Sequence, residues 1–211
     1  MYLSKSDIEN TPRVKRLNII NSISGIKPGN LIGTASAKGI PNLAIISSVV
    51  HLGSNPALLG YILRPADEVR RHTYENILET GYYTINHIRK NFIREAHYTS
   101  AKFDAGVSEF EECGLTEEYS YDFHAPFVAE SSLKMGLKHV ETVEIKSNGT
   151  MMVIGEVQHL IIPDEIIDER GYLDLGKADG VGISGLNSYY EVKKIGEFPY
   201  ARVNEVPDLK S

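Results

Sequence analysis

Apolar residues along this chain fall in short runs separated by turn formers, a spacing that favours strands over long helices. Asn30-Leu31-Ile32-Gly33-Thr34-Ala35-Ser36 reads as a strand and Ala37-Lys38-Gly39 as a turn, with Gly39 free to take positive φ. Gly39 to Ser48 then forms the second arm of a hairpin. Its apolar centre, Leu43-Ala44-Ile45-Ile46, calls for neighbours on both faces, so a buried strand is expected. The ends of that strand are polar, with Asn42 at the entrance and Ser47-Ser48 at the exit. Polar groups at strand ends stand where side chain and backbone can reach a ligand; the plainer alternative is that Asn42 belongs to the turn and the serines bond to backbone.

Ala57 to Leu63 is another apolar run, closed by Arg64-Pro65, because proline cannot continue a central strand. Residues 67–80 read as a helix, with Asp67 at its start, Val69, Thr73, Ile77 and Leu78 near one face, and Gly81 in the C′ position. Tyr82 to Asn86 is rich in β formers; Lys90 to about Ser100 is helical again, with Phe92, Ile93 and Ala96 inward. Residues 101–125 form an acidic loop with a short helix over 107–112. Lys138 to Ile145 and Thr150 to Ile162 flank Ser147-Asn148-Gly149, a strong hairpin signal. Tyr189 to Ile195 reads as a last strand. In residues 1–29 the periodicity is mixed, and Val14, Leu17, Ile19, Ile20 and Ile23 are expected to cover a core edge. Many short strands with few helices between them predict a mainly β protein with flanking helices, its antiparallel sheet closed as a barrel. The absence of linkers and repeats makes 1–211 a single expected domain, with 1–24 and 196–211 as peripheral extensions.

Composition narrows the function classes. With 42% hydrophobic and 24% charged residues the 211-residue chain is of ordinary globular type. A net charge of −6 and no basic run make nucleic acid a poor partner. The lone Cys113 excludes internal disulfides and cysteine-based metal sites, and fits a reducing cytoplasm. The N-terminal residues contain no apolar signal region and no long uncharged apolar stretch follows, so a soluble intracellular protein is expected.

Gly180-Val181-Gly182-Ile183-Ser184-Gly185 matches a dinucleotide fingerprint in letters only: the preceding segment is too polar for a buried strand and no helix start follows. A flexible glycine loop is the expectation. The seven histidines show no metal-ligand spacing, and His124 and His139 stand as structural or surface residues with a pocket role left open. No hydrolase constellation is present. Arg64, Arg70, Arg71 and Thr73 are suited to phosphate, since arginine grips its oxygens in pairs and a helix start offers free N–H groups. A solvated charged helix face is the alternative.

In their order, these pieces resemble the flavin reductase-like family of FMN-binding split barrels. Asn42-Leu43-Ala44-Ile45-Ile46-Ser47-Ser48 is similar to the family's block of glycine, Asn, small residue and paired serines. Thr73 to Asn86 looks like its T-x-x-N-I helix and following strand, and Ile154-Gly155-Glu156-Val157 like its F-I-G-E-V strand. The resemblance spans about residues 25–165. It implies a Greek-key split β-barrel, a homodimer with FMN near the interface, and hydride passing from NADH or NADPH to the flavin. Carried over by position, the flavin contacts fall on Asn42, Ala44, Ser47 and Ser48, the phosphate contacts on Arg64 and Thr73, and a further contact on Lys102. No residue takes a catalytic role, because the cofactors carry the hydride step. Two departures, Val49-Val50 after the serine pair and His139 where a cysteine is frequent, bear on substrate choice. A flavin-holding electron carrier, or a barrel holding haem or a pyridoxal-type phosphate, are the other readings.

Overall fold

The computed structural model describes residues 1–65, 71–104 and 106–208. In chain order the elements are α1 (Lys5–Asn10), α2 (Arg13–Ile23), β1 (Lys27–Pro28), β2 (Asn30–Ala35), β3 (Pro41–Ile46), β4 (Val50–Ser54), β5 (Ala57–Leu63), α3 (His72–Thr80), β6 (Tyr82–His87), α4 (Ile93–Tyr98) and α5 (Glu109–Cys113). There follow β7 (Glu117–Glu118), β8 (Phe127–Val128), β9 (Lys134–Ile145), β10 (Thr150–Ile161), β11 (Val181–Ser184) and β12 (Ser188–Glu191).

The main sheet has seven antiparallel strands in the order β3-β2-β6-β9-β10-β5-β4. Its two outermost strands, β3 and β4, are consecutive in sequence and separated only by Ser47, Ser48 and Val49. So short a link cannot span a flat seven-stranded sheet, since neighbouring strands lie about 4.8 Å apart. The sheet must roll until its edges meet, which makes a barrel with a seam between the β3 edge and the β4–β5 hairpin. Ser48 bridges that seam: its hydroxyl donates to Ile62 O at 3.2 Å and accepts from Ile62 N at 3.0 Å. The fold is therefore the split β-barrel expected from the sequence.

Alternating side chains send the apolar residues of the sheet into two large core clusters, with a smaller third around Phe123, Ala125 and Phe127. One cluster gathers Ile32, Tyr61, Leu63, Tyr83, Ile85, Leu137 and Val153, with Ile77 from α3. A second packs Leu31 and Leu43 against Ile88, Phe92, Ala96, Phe110, Val128, Val181 and Ile183. Between them Thr84 and Asn86 of β6 build a buried polar knot: Thr84 Oγ1 donates to Pro126 O at 2.6 Å, and Asn86 Oδ1 accepts from Val128 N at 3.1 Å.

The hairpins β2–β3 and β9–β10, the β5 run and its stop before Pro65, and the turn glycines Gly39 and Gly149 at φ +79° and +70° agree with the sequence reading. Gly81 ends α3 in the left-handed region. Five expectations need correction. β3 lies at the sheet edge and is only half-buried over Ala44 to Ile46, because β2 is its one ladder partner. Residues 1–29 contain two helices, whose Val14, Leu17, Ile20 and Ile23 stay exposed, α2 having no single apolar face to bury. Leu78 is exposed while Ile77 next to it is fully buried. The Gly180–Gly185 segment is no flexible loop: Val181–Ser184 is a buried strand between β1 and β12, and a Cβ at Gly182 would fall 2.1 Å from Ile26. The last strand is also shorter, ending at Glu191. The helix start expected at Asp67, with Val69 and Arg70, lies outside the described residues.

Candidate functional site

The polar ends of β3 lie on one circuit of contacts. Asn42, buried at the start of β3, donates through Nδ2 to Thr73 Oγ1 at 3.0 Å, which fixes the first turn of α3 beside the strand. Two residues before Thr73, Arg71 donates through Nη2 to Pro65 O at 3.4 Å, tying the helix entrance to the end of β5. Three residues before Pro65, Ile62 holds the Ser48 hydroxyl. The chain from Ser48 back to Asn42 is the Ser47–Ser48 part of the β3–β4 link and then β3 itself. Asn42, Ala44, Ser47, Ser48, Arg64 and Thr73 therefore all lie on one closed path, although 31 residues separate its ends at the Asn42–Thr73 bond.

Electrostatics along the path favour an anion at one side. The first N–H groups of α3 point out of the helix start, where the dipole is positive. Arg64 is exposed just past β5, and the buried Arg71 Nε has no hydrogen-bond partner among the described residues. A phosphate would satisfy such a set. The opposite side is half-buried and short-chained: Ala44, Ser47 and Ser48 leave backbone reachable. The residues present thus fit a ligand with a planar polar edge and a phosphate tail.

Lys102 stands apart. It is exposed on the segment between α4 and α5 and makes no hydrogen bond or ion pair among the described residues. His139 bonds through its N–H to Gly81 O at 2.8 Å, so it sits at the far end of α3 from Thr73, with Nε2 at 3.0 Å from Thr142 Oγ1. His124 is exposed. Another concavity, an open groove of about 550 Å3 lined by Lys90, Arg94, His97 and Tyr189 among others, contains none of the predicted site residues. Among the described residues no group of three or more His, Cys, Asp or Glu is placed to hold a metal, and no helix is long and apolar enough to cross a membrane.

Glu109 was not singled out by sequence reasoning. Glu109 is buried, and its Oε2 accepts from Leu43 N at 2.9 Å, in the middle of β3. In the sequence it is one acid in an acidic run; only the neighbouring Phe110, fully buried, distinguishes its position.

Comparison with known proteins bears on the family and the fold. Residues 23–178 match the flavin reductase like domain. The chain belongs to that family. Its fold is shared with a split-barrel protein of Shewanella frigidimarina NCIMB 400 assigned as a flavin reductase, at 48% identity and a TM-score of 0.91, covering 95% of this chain and 100% of that one. Flavoredoxin of Desulfovibrio vulgaris (Miyazaki F) has the same fold at 24% identity and a TM-score of 0.72, over 83% of this chain and 92% of its own. An uncharacterized protein of Aquifex aeolicus (strain VF5) is 28% identical over 173 residues, 81% of this chain and 86% of that protein.

Proposed function

We propose that this flavin reductase-like chain binds FMN on the Asn42–Thr73–Arg71–Ser48 circuit and serves as an NAD(P)H-dependent oxidoreductase of the cytoplasm. The observation that carries the reading is the closed path itself: small and hydroxyl residues on one side, two arginines and a helix start on the other. Asn42, Ala44, Ser47 and Ser48 would hold the ring and its ribityl chain through side chain and backbone. Arg64, Arg71, Thr73 and the α3 N–H groups would hold the phosphate, which separates FMN from riboflavin by charge. Lys102 would join them from the α4–α5 segment.

Bound flavin supplies the hydride acceptor, with NADH or NADPH as the donor. The chain's share is to bind, orient and exclude water, which fits a site with no acid–base pair. A homodimer is part of the reading. Val14, Ile20 and Ile23 of α2 and Val140 and Val143 of β9 offer exposed apolar surface for a second copy.

The test is the absorbance spectrum of the purified protein with FMN added, followed by NADH and NADPH oxidation. A flavin band with turnover is expected. A protein that stays colourless in excess FMN overturns the reading, and tight binding without nicotinamide oxidation reduces it to a flavin carrier.

A further inference from the structure

An edge strand exposes alternate N–H and C=O groups that no ladder partner takes. β3 is such a strand. Leu43 N points away from β2, because it bonds to Glu109, and the alternation of the ladder then sends Ile45 N to the same side. Pro41 has no N–H to offer. Leu43 is thus the first outward amide of the strand, and Glu109 occupies it from 66 residues away.

The arrangement around Glu109 is built. Phe110, next in sequence, is fully buried in the same cluster as Leu43 and anchors α5 against β3. The carboxylate therefore has little freedom to swing. Burial pushes its pKa up, and the Leu43 N–H, its own backbone N–H and the charge of His72 pull it back. His72 opens α3 and precedes Thr73, so Glu109 stands between the strand that carries Asn42 and the helix that carries Asn42's partner.

We propose that Glu109 is a positioning residue of the cofactor cradle: by clamping Leu43 N it fixes the path of β3 between Asn42 and Ala44 and leaves the next outward amide, Ile45 N, free for the ligand. The inference rests on the reading of β3 as part of the flavin site. Glu109 touches no ligand in this account and acts through the strand.

The test compares Glu109→Gln, which keeps an acceptor of the same reach, with Glu109→Ala and the shorter Glu109→Asp. Amide exchange at Leu43 is followed in the flavin-free protein, FMN affinity by flavin fluorescence, and folding by thermal melting. In Glu109→Ala and Glu109→Asp, Leu43 exchange is expected to accelerate and FMN affinity to fall about tenfold, the loss of one buried charge-assisted bond. Glu109→Gln should keep both near the parent values. If the alanine variant fails to fold, the aspartate and glutamine variants carry the comparison. The proposal is overturned if the parent binds FMN and Glu109→Asp binds it equally well, or if Glu109→Gln loses as much as Glu109→Asp. Failure of the parent to bind FMN would instead remove the flavin reading, and the role of Glu109 with it.

Discussion

Asn42 and Thr73 hold the open edge of the barrel to the first turn of the helix that follows it. The 3.0 Å bond runs from the Asn42 carboxamide to the Thr73 hydroxyl, so Asn42 Oδ1 and the Thr73 hydroxyl proton are left for a ligand. Replacing Asn42 with Ala or Thr73 with Val should each weaken FMN. The double variant should lose less than the sum, by about 1 kcal/mol, the size of one shared hydrogen bond. Fluorescence titration of the four proteins measures the coupling. Strict additivity would mean that the two residues act on the ligand separately.

Arg64 is expected to discriminate by charge. Arg64→Ala should cost about 1.5–3 kcal/mol of FMN affinity and leave riboflavin nearly unchanged, because only FMN carries the phosphate. Equal losses for both ligands would remove Arg64 from the phosphate side.

Gly155 and Tyr83 predict a stability effect remote from the site. A Cβ at position 155 would lie 2.2 Å from the Tyr83 hydroxyl, which is itself buried without a partner among the described residues. Gly155→Ala should destabilise by about 1–3 kcal/mol through overpacking. Tyr83→Phe should be neutral or stabilising, since it removes an unsatisfied buried hydroxyl, and should partly rescue Gly155→Ala. Urea unfolding of the two singles and the double decides it. Gly33→Ala should be harsher, because its Cβ would meet the backbone oxygen of Pro126 at 2.3 Å, which cannot rotate away.

His87 sets a pH dependence. Burial holds its imidazole down to about 4, against about 6.5 unfolded, so the native state refuses a proton that the unfolded chain takes up. Its contribution is fully present above about pH 6.5 and drains away as the pH falls toward 4, to a loss of up to about 3 kcal/mol. Urea midpoints of the parent and His87→Leu at pH 7.5 and 4.5 should therefore differ more in their shift than in their absolute values. Parallel shifts would show that carboxylates alone govern acid unfolding.

Local signals were sufficient where a residue's conformation is set by its neighbours in sequence. Gly39, Gly81 and Gly149 take positive φ as their turns require, and Asn148-Gly149 closes the longest hairpin. The polar residues that flank the apolar centre of β3 stood out for a related reason: Asn42 and Ser48 are polar where the run around them is apolar. What the sequence could not convey is partnership. The edge position of β3 follows from strand order, and the burial of Glu109, 66 residues from Leu43, follows from the docking of Phe110 beside it. Val181–Ser184 looked mobile because its glycines weaken strand propensity. Gly182 is there because Ile26 presses on it, as Val181 O presses on Gly29 beside β1.

That last pairing orders events during synthesis. β1 at Lys27–Pro28 has no sheet partner until β11 exists, and the second core cluster lacks Val181 and Ile183 until then. The family match ends at residue 178, three residues short of this strand. A nascent chain that has emerged only as far as the recognisable region therefore still exposes Leu31 and Leu43 on an unsealed face. Contacts this distant in sequence form slowly and leave apolar surface open meanwhile. A clone cut at the boundary of the match would be expected to aggregate, and one carried through Glu191 to fold.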